Sequence, residues 1–212
     1  MRRYVADSAA LARKDLLLEL RARDTLPAML LFVVAVLVIF HFALPEGSRR
    51  ASLGLLWAAI LFTALLGLGR AFVAEREQGV LDGLVLAPSD RSAIWVGKVV
   101  ATLAFLVLAE VVALPAFALF FTSVDAATVA GVALADVGIC AVGVLLAAMA
   151  AAARARELLL PLLFLPLAVP IVIGGVGASI ASSSGRYLAF LALYDAVFAL
   201  VAWAAFEYVV VE

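Results

Sequence analysis

Residues 26–44 read Leu-Pro-Ala-Met-Leu-Leu-Phe-Val-Val-Ala-Val-Leu-Val-Ile-Phe-His-Phe-Ala-Leu, without one acidic or basic side chain other than His41. A helix needs about 20 such residues to cross roughly 30 Å of hydrocarbon. Working outward from this stretch, five more long apolar runs follow at 51–73, 93–121, 128–153, 158–177 and 188–211. Composition agrees with that reading. Of 212 residues 67% are hydrophobic and 15% charged, with a mean hydropathy of +1.22. Soluble domains hold about half apolar and about a quarter charged residues, because their outer shell must meet water. The expected fold is therefore all-α: a polytopic membrane protein with six transmembrane helices, forming a single domain over 1–212.

Charge placement predicts the orientation. With the N-terminus inside, Arg2, Arg3, Arg13, Lys14, Arg21, Arg23, Arg70, Arg76, Arg91, Lys98, Arg154 and Arg156 are cytosolic. Only Arg49, Arg50 and Arg186 then face outward. An excess of Lys and Arg marks the inner side, and an even number of spans brings the C-terminus inside too. The net charge of −1 gives no basis for a nucleic-acid partner. The single cysteine, Cys140, excludes an internal disulfide and a cysteine-based metal cluster. Residues 1–25 have no basic tip followed by a short apolar core, so no signal peptide is expected.

Before the first span, Val5, Ala9, Ala12, Leu16 and Leu20 fall on one helical stripe flanked by Arg13, Lys14, Arg21 and Arg23. That pattern predicts an amphipathic helix over 1–25 lying in the headgroup layer. Glu19 interrupts the stripe. Asp24-Thr25-Leu26-Pro27 reads as a helix stop and restart, since Pro27 suits a first turn and disfavours helical angles at Leu26. The fifth span carries Pro161, Pro166 and Pro170 and predicts a kink or break, with 178–187 forming an irregular outer segment. The third span, long enough to tilt or kink, and the glycines of the fourth (Gly131, Gly138, Gly143) predict uneven, close helix contacts.

The segment 74–92, between spans two and three, carries the functional signal. Glu75, Arg76 and Glu77 open it, Leu81, Leu84 and Leu86 form a short apolar nub among Gly79, Asp82 and Gly83, and Pro88-Ser89-Asp90-Arg91 closes it. Ser89 or Asp90 can cap the following helix. A water-facing loop has no use for the nub. A helix that inserts apolar residues into a partner's groove does. The alternative is a charge belt that merely ends two helices.

Residues 72–84 and 86–98, with Glu-x-Glu-x-Gly-x-Leu over 75–81, Pro-x-x-Arg over 88–91 and Gly97-Lys98, resemble the haem exporter protein B family. These are permease subunits of the cytochrome c maturation system, and the general pattern is similar to ABC-2 type exporters. Lys14-Asp15-Leu16 through Pro27 resembles the family as well. The resemblance implies a coupling loop at 74–92 that sits in a cleft of a separate cytosolic ATPase subunit. Glu75, Arg76, Glu77, Gly79, Leu81, Asp82, Leu84 and Arg91 would form the docking element, with Gly97 and Lys98 bracing the next helix. Arg154, Arg156 and Glu157 are a candidate second contact, or plain inner-side anchors. The resemblance also implies haem as substrate, ATP used by the partner subunit, other cytochrome c maturation membrane subunits as partners, and a bacterial inner membrane location. A second copy of the chain is expected, because ABC transporters use two ATPase sites.

Three carboxyl groups, Glu110, Asp136 and Asp195, fall inside spans. A mid-bilayer charge costs ~2.5–3.5 kcal/mol on insertion scales, so each should face protein or water. They could line a transit path, pair with Arg70 as a gate, or make local interhelical hydrogen bonds, Asp136 and Asp195 near enough to span ends to reach headgroups. His41 is either an interfacial residue or a haem ligand. Trp57, Trp95 and Trp203 are isolated and make no tryptophan platform. No Gly-x-x-x-x-Gly-Lys-Ser/Thr loop occurs, so the energy source is another subunit. Export of a drug, lipid or polysaccharide, or a scaffold role in releasing a haem chaperone, uses the same docking loop. An intramembrane serine protease would need a nucleophile beside a base, and only Gly177-Ala178-Ser179 and His41 are on offer. No catalytic or metal-ligating residues are assigned.

Overall fold

The computed structural model describes residues 2–45, 47–77, 79, 90–153, 156–181 and 183–209. Among them lie helices α1 (Arg2–Ala22), α2 (Thr25–Ala43), α3 (Arg49–Arg70), α4 (Val73–Glu77), α5 (Arg91–Phe120), α6 (Ala126–Ala152), α7 (Arg156–Ile180) and α8 (Ser184–Val209). Six of these, α2, α3 and α5 to α8, are long and apolar enough to cross a bilayer. The chain is a multi-pass membrane protein. The end of α3, α4 and the start of α5 lie with α1 at one end of the bundle, and the end of α6 and the start of α7 border the same end. The ends of α2 and α5 meet at the opposite side.

The core forms where small residues let helices approach. α6 is the most enclosed span, and its glycines face large side chains: Gly131 meets the Trp57 indole and Ala178, Gly138 meets Asp195 and Ile171, and Gly143 meets Leu68. Trp57 fills the space over Gly175 in α7, and its indole N–H donates to Ser179 Oγ at 3.1 Å. These are close-packed contacts of the kind that hold spans together when lipid supplies no hydrophobic drive.

Three expectations change. α7 is helical through Pro161, Pro166 and Pro170 and on to Ile180, and α8 begins at Ser184, so the connection between them is far shorter than the expected 178–187. Tyr194 of α8 donates to the Leu167 carbonyl at 2.7 Å, holding α8 against the proline-rich stretch. The amphipathic stripe of α1 divides: Ala12 is buried with Ser8 against protein, whereas Val5, Ala9 and Leu20 are exposed. Asp136 and Asp195 do not reach toward span ends. They are 1% and 6% exposed, because α6 and α8 turn these residues into the bundle.

Candidate docking end of the bundle

The turn between α1 and α2 is built by the residue that interrupts the stripe. Glu19 Oε1 accepts hydrogen bonds from the Thr25 and Leu26 amides at 2.5 and 3.0 Å, and Arg23 takes up φ +56°. First-turn amides have no helical partner, so a carboxylate there caps α2 and favours its positive end. Asp24, at the N-cap itself, makes no side-chain cap bond.

α1 is thereby laid across the start of α5. A Cβ at Gly97 would lie 2.8 Å from Leu11 Cβ and 3.0 Å from the Ser8 carbonyl oxygen, so glycine is what lets the two helices touch. One residue on, Lys98 is 5% exposed and reaches three acceptors. Its Nζ donates to the Ala71 carbonyl at 2.6 Å and to Glu75 Oε1 at 2.8 Å, and makes a 3.0 Å charge contact with Asp15 Oδ2. It also stands 4.9 Å from the Phe72 ring centroid. Lys14 Nζ donates to the same Glu75 oxygen at 2.5 Å and lies 3.1 Å from Asp15 Oδ1. Two cations and two carboxylates thus join α1, α4 and α5 in one cluster.

The electrostatics follow from that geometry. Burial disfavours the charged form of Glu75, but Lys98 and Lys14 outweigh it and hold the carboxyl below its ordinary value. Burial likewise works against the Lys14 ammonium, and its bond to Glu75 and the charge of Asp15 raise its pKa in spite of it. Glu75 and Lys98 are buried and Lys14 is partly exposed, and the four charges neutralise one another.

Of the residues expected to form the docking element, Glu75 is 3% exposed and turned inward onto Lys98. Arg76 is exposed. Gly79 is exposed with φ +65°, its N–H donating to the Arg76 carbonyl at 3.0 Å, a left-handed turn that ends α4 and favours glycine. Arg91 opens α5 and is half-buried. Asp90 is the N-cap of α5, yet its carboxylate accepts from the Ser92 hydroxyl at 3.1 Å instead of a backbone amide. Leu81, Asp82, Leu84, Leu86, Ser89 and Arg154 lie outside the described residues, as do the side chains of Glu77, Arg156 and Glu157.

Deeper in the bundle Glu110 and Asp136 lie side by side, and Asp195 sits over Gly138. Arg70, exposed at the end of α3, pairs with none of them among the described residues. At the far end His41 Nδ1 stands 2.9 Å from the Phe120 carbonyl, which can only accept, so Nδ1 carries the proton and ties α2 to α5. Trp57 and Trp95 are buried, and the Trp203 indole donates to the Tyr4 hydroxyl at 3.3 Å, joining α8 to α1.

The segments that meet in the ion cluster are those on which the sequence resemblance rested, and comparison with known proteins agrees. A family model described as CcmB protein matches residues 7–210. The chain belongs to the CcmB protein family. Curated relatives within reach include heme exporter protein B of Bradyrhizobium diazoefficiens, 31% identical over 178 residues, covering 81% of this chain and 80% of the relative. Heme exporter protein B of Pseudomonas aeruginosa is 32% identical over 184 residues, 84% of this chain and 82% of the relative. That of Paracoccus denitrificans is 33% identical over 175 residues. The CcmB match takes in α1 from Asp7 onward, the ion cluster and all six spans.

Proposed function

We infer that this chain is the permease subunit of an ABC-type haem exporter in the bacterial inner membrane, serving cytochrome c maturation. The end carrying α1 and the 74–92 loop faces the cytosol in this reading, supported by the excess of Lys and Arg there. The loop docks on a separate ATPase subunit, and two permeases pair so that each ATPase site meets one loop. Haem enters the reading from what the relatives are named.

One observation carries the coupling role: Lys98 holds Glu75 at the base of the loop and Asp15 of α1 at once. A pull on a loop does work on the spans only if its stem is rigidly attached to them. The cluster supplies that attachment in a protein environment where buried ion pairs resist separation. Glu75 accordingly acts as the anchor of the docking element, with Glu77, Leu81, Asp82, Leu84 and Arg91 left to make the contact, Arg76 flanking it, and Arg154, Arg156 and Glu157 offering the second one.

The test is co-purification. Replacing Leu81 and Leu84 together with Asp should abolish recovery of the ATPase with the permease while the permease remains at its normal level in the membrane. Normal recovery would overturn the docking assignment. Reconstitution of the whole complex in liposomes then separates substrates: ATP-dependent haem movement supports export, and release of a haem chaperone alone replaces it.

A further inference from the structure

Beside the ion cluster, a groove of about 740 Å³ opens between α2 and α3 on one side and α6 and α7 on the other. Phe32, Phe62, Leu66 and Pro161 make its walls apolar, and Phe62 and Leu66 are exposed along its length. Arg70 and Arg76 stand at its mouth, both exposed. Neither forms an ion pair with any described residue, and no Asp or Glu is among the described lining residues. Arg70 also borders a second recess holding Asp15, Glu19 and Glu75 but makes no ion pair with them among the described residues: Lys14 and Lys98 pair with Asp15 and Glu75, and Glu19 accepts from the Thr25 and Leu26 amides.

We propose that this groove binds an anionic phospholipid of the leaflet that is cytosolic in the proposed orientation, on which the inference rests for its sidedness. The headgroup phosphate lies on Arg70 and Arg76, and an acyl chain runs along Phe32, Phe62 and Leu66. Guanidinium groups match phosphate with paired donors. Basic pockets between spans on the inner side recognise anionic headgroups. The acyl chain gains little by leaving other chains, so selectivity comes from the headgroup's net charge: the two arginines favour a net-negative headgroup over one whose phosphate is offset by its own cation, while the apolar walls set the direction of entry. A second copy of this chain is the poorer occupant. A two-fold interface brings the same patch to itself, and these two cations would then face their own counterparts.

The full-length protein, purified in mild detergent, is exposed to phosphatidylglycerol or phosphatidylcholine and the retained lipid is read by native mass spectrometry. Wild type should prefer phosphatidylglycerol about thirtyfold, roughly a factor of five for each cation. R70Q/R76Q should bring the preference to about onefold on the same basis, and Arg70→Lys should keep most of it. Leu66→Trp, which fills the groove and leaves both cations, should lose the adduct. Equal retention of the two lipids, an unchanged preference in R70Q/R76Q, or displacement of the adduct by added haem or by a second copy would overturn the site. Adduct formation in detergent does not depend on orientation. Thiol labelling of Gly79→Cys in intact cells reads orientation separately, so failure of one is distinguishable from failure of the other.

Discussion

Lys98 and Glu75, 23 residues apart in the chain, are joined by a 2.8 Å hydrogen bond between Nζ and Oε1 in which both side chains are almost wholly buried. The same ammonium binds the carbonyl that ends α3 and touches Asp15 of α1. α1, the end of α3 and α4 therefore share one cation, which α5 supplies from beyond the 74–92 loop. Removing that cation leaves two carboxylates facing each other without their main partner.

Lys98→Met should accordingly be among the most damaging single changes at this end. Breaking a buried pair by removing one partner costs about 3–5 kcal/mol. The expected result is a marked fall in the melting midpoint of detergent-purified protein, with insertion into the membrane retained. A midpoint within error of wild type would show that the cluster is not holding the bundle end.

The pH dependence has a definite sign. Glu75 titrates below its ordinary 4.5 in the folded protein, so its contribution is present above that value and lost as pH falls through the lowered one. Lys14 titrates above 10.5, so its contribution is present below that value and lost as pH rises through the raised one. The cluster's own contribution to thermal stability should be flat between these limits and drop in acid, so Glu75→Gln should flatten the acid limb. A wild-type profile with no acid limb would contradict the arrangement.

Gly97→Ala should lift α1 from α5. The added Cβ would sit 2.8 Å from Leu11 Cβ and 3.0 Å from a backbone oxygen, neither of which can swing aside. Overpacking of this kind costs about 1–3 kcal/mol. Trypsin cleavage after Arg21 or Arg23 in inside-out vesicles should rise several-fold, and an unchanged rate would remove Gly97 from the contact.

Much of this was legible in the sequence, and the failures have physical causes. Six spans could be read because hydrocarbon demands an unbroken apolar run, and the ends fell within a few residues of those observed. The ion cluster could not be read, because Lys14 and Glu75 are 61 residues apart and periodicity says nothing about pairs so distant. Glu75 was therefore expected among docking residues, while its carboxylate is turned inward. Glu19 looked like a flaw in an amphipathic stripe, since only the turn at Arg23 reveals that its carboxylate folds back onto the α2 amides. Asp136 was expected near a span end because the linear sequence does not say that α6 is the enclosed helix.

That reading of Glu19 is testable in its own right. Glu19→Ala should destabilise by about 1 kcal/mol, the usual worth of a helix-capping acceptor, and Glu19→Gln should cost less because its carbonyl still accepts. Equal loss in the two variants, measured by thermal midpoint, would assign the effect to charge and not to the cap.

Photo-crosslinking in intact cells tests the coupling scheme most directly, with the probe placed in turn at Leu81, Leu84 and Arg91. A covalent product with the ATPase subunit is expected from Leu81 and Leu84, its yield changing with nucleotide. Crosslinks only to lipid, or labelling of these positions from the outer face, would contradict it.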